Sequence, residues 1–314
     1  MRCSLQRLTR RDSILRGDPS SMRRERVSDD IYVFTSDLYA QVTATAVITG
    51  EGIVVFDTLP FPEETRGMLS FLKGLGRGPI RYLVNTHWHG DHSNGNFLFE
   101  NVQLVCHQLC AQTMLDMLKL RTSQIRDRRP SDEDDVPIRV PDITFDEGEL
   151  CLHLGGKSLQ MIPTPGHTPD SIVAYIREDK VLIAADTMMP IPYFVGGNHM
   201  DFIRSLETLL QLSIDTVIQG HGEVLLRGEV REAIQSNIRY LNTIQQRLGE
   251  IIRAGQNIEE ALRKLDIESC GKSRISLNGM VQDLHYANLR ALYQEMTKSN
   301  DNLVVPDRQL HKRI

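Results

Sequence analysis

The chain has 314 residues, of which 40% are hydrophobic and 25% charged, and its formal net charge is -5. That length suits one large domain or a domain with appendages, and the composition is sufficient to bury a core. The acidic balance excludes a global attraction to nucleic acid or an anionic membrane, and no stretch approaches a membrane span, so neither kind of partner is expected.

Residues 1–26 hold eight Arg against Asp12, Asp18 and Glu25. No apolar run follows them as it would in a secretory signal, and the acidic residues interrupt what would otherwise look like a transit peptide. A disordered basic leader is expected, with Met22 as an alternative start. Segments 31–35, 42–49 and 52–57 then read as consecutive strands, with Gly50-Glu51-Gly52 as a tight hairpin turn. Residues 63–74 have helical spacing, with Met68, Leu69, Phe71 and Leu72 apolar and Gly74 and Gly76 closing them. A strand at 80–85, a strand at 102–106 and a helix at 107–120 follow. Residues 121–142 break the pattern with Arg126-Asp127-Arg128-Arg129-Pro130 and Asp132-Glu133-Asp134-Asp135, and read as a solvated loop, a flap over the site.

A second strand series begins near Ile143 and runs through 150–154, 158–163, 172–176 and 180–185. A helix at 201–212, a strand at 215–218 and a long helix at 228–252 come next. The halves echo each other loosely, without the fixed period of a solenoid. Two helical pieces, 257–265 and 282–298, carry the apolar stripes Ala261, Leu262, Leu265 and Leu284, Ala287, Leu289, Leu292, Tyr293, which suit packing on the main domain or on a second copy in a homo-oligomer. The expected organisation is a leader over 1–26, a domain over 27–254 and a helical C-terminal extension over 255–314. Five scattered cysteines (Cys3, Cys106, Cys110, Cys151, Cys270) do not form a disulfide framework and point to a reducing, cytoplasmic setting. Cys106 and Cys110 flank His107, but a buried strand with small core thiols is the simpler account of that pair.

The chemistry concentrates in Thr86-His87-Trp88-His89-Gly90-Asp91-His92, directly after the apolar run that ends in Val84. Borderline divalent metals such as zinc take imidazole nitrogen and carboxylate oxygen as ligands. Where a strand gives way to a loop, His87 and His89 can point at one ion while Asp91 and His92 turn toward a neighbouring position. Further along, Pro163-Thr164-Pro165-Gly166-His167-Thr168-Pro169 presents His167 from a rigid turn as a third ligand for the first ion. Val181-Leu182-Ile183-Ala184-Ala185 is a buried strand ending in Asp186, a carboxylate that needs a strong partner such as a metal. Val217-Ile218-Gln219-Gly220-His221-Gly222 repeats the sequence of strand, glycine turn and His. Four strand ends thus deliver ligands toward a common edge.

With Asp57, these pieces resemble the metallo-β-lactamase superfamily, in family order over residues 31–225. The resemblance implies an α+β fold, a four-layer αββα sandwich with the site at one edge. It implies that His87, His89 and His167 hold one ion, Asp91, His92 and His221 a second, and that Asp186 bridges them. Asp57 would orient the ligand loop from behind; the plainer account is a turn residue. Two Zn2+ per chain are expected, with Fe or Mn as substitutes, sharing a hydroxide while Asp91 accepts its proton.

The implied activity is hydrolysis of an ester, thioester or lactone in a small-molecule substrate. His92 and Asp186 make the ligand set look like that of glyoxalase II and the lactonases, whereas true β-lactamases usually alter those positions. The alternatives are a mononuclear iron persulfide dioxygenase, β-lactamase or phosphodiesterase activity, and a non-catalytic scaffold. Residues 190–199 follow the bridging carboxylate and are expected to line the cleft. Tyr193 there either hydrogen-bonds an oxyanion or packs, and His199 either contacts substrate or is inert. Trp88 is expected to pack under the ligand loop, with Asn94 and Asn96 holding the turn after it.

Overall fold

The computed structural model describes residues 22–125 and 136–301. It opens with four successive antiparallel strands, β1 (Met22–Ser28), β2 (Ile31–Ser36), β3 (Thr43–Thr49) and β4 (Gly52–Phe56). Helix α1 (Pro62–Gly74) crosses to β5 (Ile80–Val84), which lies parallel to β4. Its proline stands in the first turn with Glu63 and Glu64, and Lys73 stands in the last, as the helix dipole favours. A short helix α2 (Gly90–Ser93) precedes β6 (Gln103–His107), and α3 (Gln108–Ile125) precedes β7 (Ile143–Phe145), both strands continuing the parallel run. The seven strands form one mixed sheet in sequence order.

The second sheet has six strands in the order β13-β12-β11-β10-β9-β8. Its members are β8 (Leu150–Leu154), β9 (Lys157–Pro163), β10 (Ile172–Ile176), β11 (Val181–Ala185), β12 (Thr216–Gln219) and β13 (Leu225–Leu226). Helix α4 (His199–Leu209) connects β11 to the parallel β12, and α5 (Val230–Arg253), α6 (Ile258–Lys264) and α7 (Val281–Asp301) end the described chain.

Period-two alternation sorts the strand side chains into layers. In β4, Val54 and Phe56 face the second sheet while Ile53 and Val55 face outward to Met68 and Leu72 of α1. In β11, Val181 and Ile183 face inward while Leu182 and Ala184 join Phe202 and Leu206 of α4 and Ile234 and Leu241 of α5. Strands buried on both faces are continuous apolar runs for this reason. The result is the expected αββα sandwich. The extension adds to its outer helical layer: Ala261, Leu265, Val281, Leu289 and Leu292 are buried against α5.

Besides the short elements α2 and β13, which the sequence does not predict, three segments differ from the sequence expectation. Residues 22–26, assigned to the leader, belong to β1, whose Met-Arg-Arg-Glu-Arg run has no apolar alternation and is recruited by backbone pairing with β2. Charged side chains are the usual protection of an edge strand. Helix α3 runs on to Ile125, and residues 126–135, the centre of the expected flap, lie outside the described residues, as do 1–21. Helix α4 begins two residues earlier than expected, with Asn198 capping it by accepting from the Asp201 N–H at 2.9 Å.

Strand direction positions the site. β4 and β5 run parallel, and β9, β11 and β12 share one direction because β10 is antiparallel to both β9 and β11. Their carboxyl ends deliver Asp57, His87, His167, Asp186 and His221 to one edge, where the sheets also meet directly. There the Thr43 N–H donates to the Gly220 carbonyl at 2.8 Å and the Ile172 N–H to the Thr86 carbonyl at 2.9 Å.

Candidate metal centre

Two strand ends turn sharply at this edge. Asp57 (φ 59°) and Ala185 (φ 42°) both occupy the left-handed region, which disfavours side chains and is tolerated where the surroundings over-determine it. The turn at Ala185 swings the Asp186 carboxylate into the site. Gly220 allows it to stay there, because a Cβ at that position would overlap Asp186 Oδ1 and the Ala185 carbonyl. Gly220→Ala is therefore expected to lose roughly one equivalent of bound metal, checked by elemental analysis after saturation and desalting.

The ligand atoms form two clusters, each within 4.8 Å: His87, His89, His167 and Asp186, and Asp91, His92 and His221. In the first, His89 Nδ1 is 3.1 Å from His87 Nε2 and 2.9 Å from His167 Nε2. In the second, Asp91 Oδ2 is 3.4 Å from His221 Nε2 and 3.9 Å from His92 Nε2. Asp186 spans both. Its Oδ2 lies 3.3 Å from His167 Nε2, and its Oδ1 lies 3.1 Å from His92 Nε2 and 3.5 Å from His221 Nε2.

The rear of four of the five rings faces an oxygen. His167 Nδ1–H donates to the Tyr193 carbonyl at 2.6 Å, His221 Nδ1–H to the Ala40 carbonyl at 2.9 Å, and His92 Nδ1–H to Asp57 Oδ2 at 3.0 Å. Since these oxygens only accept, each neutral ring turns a bare Nε2 lone pair inward. Thr86 donates its N–H and its hydroxyl to Asp57 at 2.8 and 2.6 Å, and that hydroxyl also faces His87 Nδ1 at 3.1 Å. Asp57 thus holds the His loop from behind, as well as ending a strand. His89 Nδ1 can direct at most one N–H toward its two neighbours, so at least one of these close nitrogen pairs sets lone pair against lone pair unless a cation sits among them. His92 Nε2 and Asp186 Oδ1 are also buried, facing each other at 3.1 Å without a well-formed hydrogen bond to any other group. An imidazole and carboxylate donor set with orphaned inward lone pairs fits two borderline divalent ions.

Charge follows the same division. Burial, together with neighbouring rings, pushes the His87 pKa well below the usual histidine value and that of His89 down to about 4. Burial also opposes charge on His92 and His221, but the carboxylates of Asp186 and Asp91 outweigh it, raising His92 well above the histidine range and His221 to about 10. Burial works against ionising Asp91, yet His92 and His221 bring its pKa down to about 2. This edge is built to hold positive charge beside Asp186 and Asp91.

A cavity of about 340 Å³ opens over the clusters, lined by Tyr39, Ala40, Trp88, His89, Gly90, Asp91, His167, Asp186, Met189, Tyr193, His221, Leu277, Met280 and Leu284. Tyr193 is where the sequence placed it, its ring 5.9 Å from that of His167. Trp88 packs against His89 at 4.5 Å between centroids and also reaches the cleft. Asn96 and Asn85 exchange amide hydrogen bonds of 2.7 and 3.1 Å that hold the turn. His199, proposed from sequence as a substrate contact, does not line this cleft. It is 1% exposed, packs on Phe194 and hydrogen-bonds the Leu241 carbonyl at 3.0 Å, because α5 covers the start of α4. Cys106 and Cys110 are buried free thiols with Met114 and Ala111, in accord with a core role.

Sequence reasoning missed a support from the extension. Asn288 of α7, fully buried, donates to the Pro192 carbonyl at 2.6 Å and accepts from the Phe194 N–H at 3.2 Å. It therefore clamps both sides of Tyr193, whose carbonyl orients His167. Behind it, His285 donates Nε2–H to the Leu265 carbonyl at 2.8 Å and accepts from the Tyr240 hydroxyl at 2.9 Å.

Known proteins match this architecture. The family profile described as "Metallo-beta-lactamase superfamily" matches residues 39–221. The chain is 26% identical over 181 residues to a beta-lactamase-like protein 2 homolog of Caenorhabditis elegans, covering 58% of this chain and 54% of that one. It is 25% identical over 256 residues to a linear primary-alkylsulfatase of Pseudomonas sp., covering 69% and 48%. It is 28% identical over 179 residues to an acyl-coenzyme A thioesterase of Gallus gallus, covering 52% and 64%. The chain thus spans about half the length of the first two relatives. Among solved structures, a stereoselective inverting sec-alkylsulfatase from Pseudomonas sp. superposes with a TM-score of 0.67 at 17% identity, covering 91% of this chain and 52% of that one. A profile match over more than half of the chain, on a sandwich that gathers two His/Asp clusters around a shared carboxylate, leads to one conclusion: this chain belongs to the metallo-β-lactamase superfamily, with a two-site His/Asp metal-binding arrangement.

Proposed function

We propose that the chain hydrolyses an ester, thioester or lactone bond with two zinc ions. The observation that carries this reading is the Asp186 carboxylate, which turns one oxygen toward each ligand cluster at the floor of an open cleft. Ions held there would polarise the scissile group and lower the pKa of water near neutrality. The chain's own residues do the rest. Asp91 lines the cleft with its side chain 21% exposed, so its Oδ2 is placed to orient the attacking water and take its proton. Asp57, Ala40 and Tyr193 keep three imidazoles aimed inward, and Trp88 and Met189 limit the water that reaches the floor.

Sulfate-ester hydrolysis is the second reading, favoured by the likeness to the linear primary-alkylsulfatase over 69% of this chain. One panel separates the readings: matched thioesters, aryl esters, lactones, alkyl sulfates, phosphodiesters and β-lactams compared by kcat/KM, alongside elemental analysis. The expected result is about two zinc per chain, with an ester, thioester or lactone leading by at least about tenfold. An alkyl sulfate at the head of the panel would select the second reading. One iron with no second metal would move the protein to oxygen chemistry.

A further inference from the structure

The cleft wall beside the ligand loops comes from outside the sandwich. Leu277, Met280 and Leu284, all from the C-terminal extension, line it with Met189, Trp88 and Tyr39. The first of these sits on an unusual turn: Leu277, Asn278 and Gly279 have φ values of 49°, 55° and 89°, three left-handed residues in succession. Such backbone is disfavoured for residues with side chains, so packing must hold it. Leu277 is buried, and its Cδ2 would lie 3.6 Å from a Cβ on Gly222, the glycine that follows ligand His221. The turn therefore lies beside the loop that carries His221.

Charge is the second observation. Among the described residues, no Lys or Arg lines the cleft, and its only carboxylates are Asp91 and Asp186, both within the ligand clusters. A substrate with an anionic group at its far end would find no counter-charge here, whereas an apolar segment would be covered by Leu277, Met280, Leu284 and Met189. Hydrophobic side chains continue outward along the same segments, with Leu38 and Tyr39 exposed just before Ala40 and Ile275 exposed two residues before Leu277.

We propose that the extension makes this cleft a receptor for an uncharged, apolar acyl or alkyl chain attached to the bond being hydrolysed, with Leu277, Met280 and Leu284 setting the chain preference. This rests on the hydrolytic reading above. The test uses the full chain loaded with zinc and a series of 4-nitrophenyl esters and N-acetylcysteamine thioesters from acetyl to decanoyl. kcat/KM is expected to rise about threefold per methylene until the cleft is filled. Leu284→Glu is expected to lower kcat/KM for the octanoyl substrate at least about tenfold more than for the acetyl one, and the milder Leu284→Ala about threefold more, should the charged variant fail to fold. A flat profile, or a preference for succinyl or glutaryl esters, would overturn the inference. Calorimetric titration of the same protein with octanoate and glutarate separates the two layers of argument. Preferential octanoate binding without turnover of any ester would support the receptor and sink the hydrolytic reading, whereas ester turnover without an octanoate preference would sink the receptor alone.

Discussion

Asp186→Asn is expected to lower kcat/KM for the best substrate by at least about 10³-fold, roughly 4 kcal/mol of transition-state stabilisation, and to reduce bound metal from about two per chain to about one. The amide keeps the size of the carboxylate, so packing around it should hold. What it removes is the negative charge between the clusters, where Oδ2 faces His167 at 3.3 Å and Oδ1 faces His92 at 3.1 Å. An amide also turns an N–H group toward one cluster, where a second acceptor is needed. Loss should concentrate on the ion near Asp91, His92 and His221, because the other keeps three imidazoles. The measurements are elemental analysis after desalting and steady-state hydrolysis. Two ions bound with wild-type turnover would show that Asp186 is not shared.

Asn288→Ala should act on the metals from a distance. The substitution leaves the Pro192 carbonyl and the Phe194 N–H buried without their partner, at about 1–3 kcal/mol each, so the melting temperature falls. A purely structural role would end there. Because the same clamp holds the Tyr193 carbonyl that orients His167, metal affinity is expected to fall about 10–100-fold even where the variant is fully folded. Competition with a chelator reads this directly. Asn288→Asp retains an acceptor for Phe194 but sets a buried carboxylate oxygen against the Pro192 carbonyl, and should be at least as damaging as Asn288→Ala. Unchanged affinity in a destabilised Asn288→Ala would confine the residue to packing.

The ligand segments were legible because each carries a local signal. An apolar run that stops at a His or Asp beside glycine or proline marks a strand end presenting a ligand, and the hydrophobic periodicity that revealed the strands also marked the sandwich. What supports the ligands was not legible. His221 and His167 are oriented by the carbonyls of Ala40 and Tyr193, and a carbonyl has no residue identity to read. Asn288 lies about a hundred positions from the segment it clamps, with an unremarkable place in a helical stripe. Nothing in the local sequence marks His199 as buried, and only the packing of α5 covers it. β1 is paired through its backbone, and its side chains announce nothing.

The seam where the sheets meet has a consequence for the life of the folded chain. The ligands join segments from residue 87 to residue 221, and both sheets contribute. Ions held there act as reversible cross-links across a loop the length of a small domain, and the unfolded chain has no preformed site for them. Each ion then adds to stability by mass action, about 4 kcal/mol when free metal exceeds its Kd a thousandfold. Opening the sandwich at this edge would mean releasing both ions together with the Thr43–Gly220 and Ile172–Thr86 hydrogen bonds. The free metal concentration around the protein is therefore expected to govern its resistance to unfolding and proteolysis as well as the proposed turnover.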